Sequence, residues 1–170
     1  MAAQIGKPFP AFNLKAVLAD GTVGDVSNAT AGGKWLLVVY YPFAFTGVCQ
    51  SEIGALKARF AEFAERGVAV MGASCDSQFT QKEWIVKEFG GSLPYPLAAD
   101  FKKELAAELG ILHEGLGCAY RGTFLVDDKG VLRAYGVNDL AIGRSTEEML
   151  RLIDAFQSGG ACMVDWKKKG

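Results

Sequence analysis

Thr46-Gly47-Val48-Cys49 puts a cysteine three residues behind a threonine, directly after Pro42-Phe43-Ala44-Phe45 and the apolar run Trp35-Leu36-Leu37-Val38-Val39-Tyr40-Tyr41. The proline ends a strand-like run, and an amphipathic helical pattern opens behind the threonine, a residue type that caps helices. With Thr46 as the cap, Cys49 falls in the first helical turn, beside backbone N–H groups that have no helix partner and at the positive end of the helix dipole. Such a setting favours a thiolate, the form of cysteine that attacks electrophiles. The competing reading is an inert buried cysteine, the commonest fate of a free one. The local pattern by itself leaves both open.

Little else in the chain offers chemistry. His113 is the single histidine, so a cysteine–histidine hydrolase would have to rest on it, and it falls in an expected exposed loop. The four cysteines, at 49, 75, 118 and 162, form no C-x-x-C and no zinc-type spacing. Cys75 ends an apolar stretch and reads as core, and Cys118 lies three residues before Arg121 in no motif. Gly115-Leu116-Gly117 lacks the lysine of a phosphate-binding loop. The expectation is no metal and no organic cofactor.

The 170 residues fit one compact domain, half of them apolar and 22% charged. Eighteen Lys plus Arg against nineteen Asp plus Glu give a net charge of −1, which argues for neither nucleic acid nor an anionic membrane as partner. Lys167-Lys168-Lys169 reads as a solvated tail. Met1 to Leu14 carries no signal-peptide pattern, and the apolar run at 35–41 is too short to span a bilayer. A cytoplasmic location is the expected default, and scattered cysteines suit a reducing compartment.

The elements that must position Cys49 follow from periodicity. Asp20-Gly21 marks a hairpin within Val17–Val26. Trp35–Tyr41 reads as a central strand. Ile53, Leu56, Phe60 and Phe63 recur at helical spacing until Gly67, and Val68–Cys75 forms a second buried strand, so a parallel crossover is implied. Thr80-Gln81-Lys82-Glu83 has the capping-box pattern ahead of a helix carrying Trp84, Ile85 and Phe89, and a shorter helix is expected over Phe101–Leu109. Gly122–Val126 and Val131–Tyr135 flank Asp127-Asp128-Lys129-Gly130, a hairpin signal. Ser145-Thr146-Glu147-Glu148 is another capping box and opens a last helix, with Met149, Leu152, Ile153 and Phe156 on one face, that ends at Gly159-Gly160. The expected fold is α/β and thioredoxin-like: a mixed central sheet flanked by helices, with an N-terminal hairpin and a C-terminal extension. It is a single domain over 1–170, of which 159–170 is the tail.

With these elements placed, the sequence closely resembles the peroxiredoxins. Pro42, Thr46 and Cys49 match the family's Pro-x-x-x-Thr-x-x-Cys signature, Glu52 stands at its acidic position, and Arg121-Gly122-Thr123-Phe124-Leu125-Val126-Asp127 is similar to its second segment. Trp84 matches a further recurring position, and the likeness runs from about Ile5 to Trp166. The resemblance implies a thiol peroxidase acting on hydrogen peroxide and alkyl hydroperoxides. Cys49 would become a sulfenic acid. Arg121 would stabilise the thiolate and the charge developing on the peroxide, Thr46 would donate toward the sulfur or orient the peroxide, Pro42 would shield the pocket, and Glu52 would hold the arginine.

Cys162-Met163-Val164-Asp165-Trp166 resembles the resolving segment of the typical two-cysteine group. That implies a disulfide with Cys162 of a partner subunit, a head-to-tail homodimer able to form a decamer, and thioredoxin or a dedicated disulfide reductase as electron donor. Thr46-Gly47-Val48-Cys49-Gln50 pulls the other way: it looks more like the one-cysteine alkyl hydroperoxide reductase E loop, in which an external thiol resolves the sulfenic acid. The loop Gly90-Gly91-Ser92-Leu93-Pro94 departs from the Gly-Gly-Leu-Gly of overoxidation-sensitive members, and the sequence stops four residues past Trp166. The expectation from both is a robust enzyme. An oligomeric holdase chaperone is the alternative of another class. A thiol–disulfide oxidoreductase on the same fold is weakened by the missing C-x-x-C.

Overall fold

A computed structural model describes residues 3–169. Its centre is β3 (Trp35–Tyr40), buried along almost its whole length and paired in parallel with β4 (Val68–Ser74), Trp35 opposite Val68 and Tyr40 opposite Ala73. Two helices make the crossover, α1 (Gly47–Ala58) and α2 (Phe60–Glu65); the single helix read from spacing breaks at Arg59. The sheet has seven strands in the order β2-β1-β5-β4-β3-β8-β9. On one side β1 (Asn13–Val17) and β2 (Val23–Ser27) form an antiparallel hairpin; on the other, β8 (Arg121–Val126) runs antiparallel to β3 and to β9 (Leu132–Asn138).

β5 (Leu97–Ala99) carries no sequence signal that could be read. Its three residues stand between prolines and a loop, yet they pair with β4 in parallel and with β1 antiparallel, joining the hairpin to the sheet. β1 starts upstream of the expected hairpin because its pairing with β2 continues to Asn13 opposite Ser27. α3 (Gln78–Glu88) begins before the expected capping box, because Ser77 Oγ accepts from the Thr80 N–H at 3.2 Å and is the cap. α4 (Glu104–Glu108) is shorter than expected, its first N–H groups bound by the buried Asp100 carboxylate. A two-rung hairpin, β6 (Leu112–His113) with β7 (Cys118–Ala119), was not foreseen. At α5 (Thr146–Gln157) Ser145 caps as expected, but Glu148 pairs with Arg151 instead of closing a capping box.

Side chains of β3 alternate between two cores, as a strand's period of two dictates. Leu37 and Val39 pack with Ile53, Phe63, Trp84 and Ile153 under α1, α2, α3 and α5. Val38 and Tyr40 pack on the opposite face with Met71, Leu105, Leu109 and Phe124, where α4 lies. Gly72 makes room for Leu97 of β5 and Ile53 of α1: a β-carbon there would lie 2.5 Å from Leu97 Cδ2 and 3.4 Å from Ile53 Cδ1. The tail beyond α5 folds back on that helix, with Arg151 NH1 donating to the Trp166 carbonyl at 3.2 Å and Lys168 Nζ 3.7 Å from Asp154. Among the described residues no helix is long and apolar enough to cross a membrane.

Candidate active site

The β3 ladder makes one more bond to β4, from the Tyr41 N–H to the Ala73 carbonyl, and stops at Pro42, which has no N–H to give. Four residues later the Thr46 carbonyl accepts from the Gln50 N–H, so Thr46 occupies the N-cap position and α1 starts at Gly47. The Thr46 side chain does not cap. Its hydroxyl donates to the Phe43 carbonyl at 2.8 Å. Cys49 stands in the first turn and is fully buried.

Glu52 is one turn further along α1, on the same face as Cys49. Val39 pairs with Thr123, so continuing that register brings Arg121, the first residue of β8, level with the end of β3. Arg121 NH1 donates both to Cys49 Sγ at 3.3 Å and to Glu52 Oε2 at 2.8 Å, while Nε is held by the Leu140 carbonyl at 2.7 Å. Pro42 is buried beside this turn. Trp84 lies beneath it, 5.3 Å from Tyr41 and 6.3 Å from Phe45 between ring centroids.

Arg144 completes the cluster and was missed by sequence reasoning. Its Nε and backbone N–H donate to Glu52 Oε1, NH2 donates to Oε2, and NH1 reaches the Gly122 carbonyl and Thr123 Oγ1. An arginine in an irregular loop has no periodicity to announce it; only the return of the chain from β9 to α5 brings it here. Two guanidiniums against one carboxylate leave the buried cluster with an excess positive charge, complementary to an anion at the sulfur.

Burial works to raise the Glu52 carboxyl, but the hydrogen bonds and charge of Arg144, together with the charge of Arg121, outweigh it and hold the group below its usual value. A carboxyl depressed in the folded state contributes stability that is complete above its unfolded pKa, about 4.3, and is lost as pH falls through the native value. Urea midpoints of the native protein and of Glu52→Gln are therefore expected to differ by a constant amount above about pH 5 and to converge below about pH 4. A gap that held constant to pH 3 would contradict this ionisation.

The other cysteines stand apart. Burial, and then the Asp100 carboxylate, pushes the Cys75 thiol up to about 12, and burial raises Cys118. Both are disfavoured as thiolates at neutral pH. Cys162 is half-buried in the tail; its sulfur lies 3.5 Å from Ser158 Oγ and donates to the Ala155 carbonyl at 3.6 Å, so it rests on the end of its own α5 and not against Cys49. His113, expected in an exposed loop, is half-buried on β6 with its ring 5.2 Å from Tyr120. Among the described residues no group of three or more His, Cys, Asp or Glu side chains could hold a metal ion.

Residues 5–135 match the model of the AhpC/TSA family. Peroxiredoxin-2 of Bos taurus is 45% identical over 172 residues, covering 96% of this chain and 86% of the relative. Peroxiredoxin-1 of Gallus gallus is 42% identical over 173 residues, covering 97% and 87%. Among solved structures, the reduced 2-Cys peroxiredoxin of Plasmodium vivax superposes with a TM-score of 0.93 at 35% identity, covering 98% of this chain and 90% of that one. AhpC of Enterococcus faecalis gives 0.87 at 34% identity, with 92% and 93% covered.

Proposed function

Because the chain belongs to the AhpC/TSA family and is a peroxiredoxin, a thiol peroxidase, we propose that it reduces hydrogen peroxide and alkyl hydroperoxides through a sulfenic acid at Cys49, resolved by Cys162 of a partner subunit. One observation carries this reading: the Arg121 guanidinium, fixed by Glu52 and the Leu140 carbonyl, donates to the sulfur of a cysteine in the first turn of α1. In the first step the Cys49 thiolate attacks one peroxide oxygen. An S–O bond forms, the O–O bond breaks, and the leaving oxygen departs as water or an alcohol after taking a proton. Arg121 faces the charge that develops on the peroxide, where a pre-placed donor is most effective. The Thr46 hydroxyl, released from Phe43, is the one side-chain donor on the Pro42–Thr46 loop that could orient the peroxide, and Pro42 keeps water out.

In the second step the Cys162 sulfur of a partner subunit attacks the sulfenic sulfur, forming the disulfide and expelling water. Two electrons from thioredoxin or a dedicated disulfide reductase then restore both thiols. Resolution between subunits needs at least a homodimer, and a decamer is the further assembly. The open edge strand β9, with Tyr135 and Val137 exposed on it, supports pairing between copies. One-cysteine chemistry with an external thiol is the second reading, favoured by the position of Cys162 on its own α5.

Non-reducing electrophoresis with intact mass, after one equivalent of hydrogen peroxide, decides between them. The expected result is a covalent dimer that disappears in Cys162→Ser. A monomer gaining one oxygen in both proteins would establish one-cysteine chemistry. No change in either would overturn the peroxidase reading and leave the holdase.

A further inference from the structure

Phe45 is a bulky residue in the left-handed region, with φ 60°, at the middle of the loop between β3 and α1. L side chains other than glycine, and large ones above all, occupy that region only when their surroundings compel them. The residue is 47% exposed and its ring lies 6.3 Å from Trp84, so packing restrains it on one side only.

Within the loop the Thr46 hydroxyl bonds the Phe43 carbonyl, and the restraint that reaches outside the loop comes from the backbone of the preceding residue, Ala44. The Ala44 N–H donates to Asp76 Oδ2 at 2.9 Å, and the same oxygen accepts from Ser74 Oγ at 2.9 Å. Ser74 Oγ in turn accepts from the Asp76 N–H at 3.2 Å and from Gln81 Nε2 at 3.0 Å. Gln81 also donates to the Ala98 carbonyl at 2.9 Å. Ser74 and Gln81 are fully buried. A carboxylate thus ties the strained loop to the end of β4, to α3 and to β5. A charge-assisted bond of this kind is comparable in strength to the cost of holding a bulky residue at positive φ.

We propose that Asp76 is a positioning residue for the peroxide reaction: its bond to Ala44 holds the strained Pro42–Thr46 loop closed, so that Cys49 stays buried against Arg121. Asp76 touches neither the sulfur nor Arg121 and acts only through the loop. The proposal rests on the peroxidase reading for its catalytic half, whereas the closure itself is independent of any activity.

Two rates measured at Cys49 test it, each followed by mass spectrometry: oxidation by hydrogen peroxide in a single turnover, and alkylation by iodoacetamide. In Asp76→Ala the loop opens. Alkylation is expected to rise roughly tenfold while oxidation falls roughly tenfold, because a general reagent needs only access and peroxide needs Arg121 in place. Asp76→Asn keeps an acceptor for Ala44 and is expected to stay within about threefold of the native protein on both rates. Phe45→Asn, a residue that tolerates positive φ, removes much of the strain, so adding Asp76→Ala to it is expected to change both rates less than in the native background.

Rates that move in the same direction in Asp76→Ala, or that do not move, overturn the proposal, as does an undiminished effect in the Phe45→Asn background. Should Asp76→Ala not fold, Ser74→Ala, which loosens the same carboxylate, must show the same opposed changes or the proposal fails. If the native protein does not react with peroxide, the peroxidase reading falls, and faster alkylation in the variant still decides the closure.

Discussion

Cys49→Ser is expected to lower peroxide consumption at least about a thousandfold, an increase in the activation barrier of roughly 4 kcal/mol. A serine hydroxyl is scarcely ionised at neutral pH, and no second nucleophile stands in the cluster to replace the thiolate. The change removes little volume, and the Arg121–Glu52–Arg144 cluster keeps its mutual bonds, so the fold and its melting temperature should be nearly unaffected. Cys75→Ala and Cys118→Ala form the controls. Burial keeps both thiols protonated, and each variant should consume peroxide at close to the native rate. A Cys49→Ser protein that still turned over peroxide would place the reaction elsewhere. One that lost turnover but still suppressed aggregation of a client would add the holdase without removing the peroxidase.

Arg121→Met is expected to slow Cys49 oxidation by roughly a hundred- to a thousandfold, the usual effect of removing one donor aimed at developing charge. It should also cost about 3 kcal/mol of stability, because it takes one cation from a carboxylate that is itself buried. At this chain length that corresponds to roughly 10 °C in melting temperature. Arg144→Met offers the contrast. It strips Glu52 of two side-chain bonds and should destabilise to a similar degree, yet it leaves Arg121 against the sulfur. Its effect on oxidation should therefore be smaller by about tenfold or more. Stopped-flow oxidation paired with thermal melts of both variants separates the two roles. Equal losses of rate would mean that Arg121 contributes only through the cluster's rigidity.

The parts of the fold that present Cys49 were legible because each carried a period or a terminator. Trp35–Tyr41 was a continuous apolar run ending in proline, Ile53, Leu56 and Phe63 recurred at helical spacing, and Gly67 closed the helix. What was not legible depended on distant parts of the chain. β5 is a strand only because β1 and β4 hold its two edges. Ser77 and Thr80 are both capping types one turn apart, and the choice of Ser77 follows from Ser74 and Gln81 anchoring the helix start. Within the site, Cys49, Thr46, Arg121 and Glu52 stood in motifs, whereas Arg144 stood in none and arrives by tertiary closure. The Thr46 hydroxyl shows a further limit: residue type placed it at the N-cap, but the turn at Phe43 decided where its hydrogen points. For Cys162 the proposed partner is the Cys49 of a second copy, which one chain's sequence does not describe.

The site also has a history within each molecule. Arg121 meets Cys49 across 72 positions of sequence, and the Arg144 bond to Glu52 spans 92. Contacts so distant close late, since loop entropy must be overcome before they return anything. A chain that has folded only β3, α1 and β4 therefore carries its cysteine at a helix start with neither guanidinium nearby. The thiol acquires its electrostatic partners only when β8 and the loop beyond β9 close on α1, so a partly folded molecule is a poor target for peroxide, and reactivity of Cys49 toward peroxide in particular doubles as a sign that folding has finished.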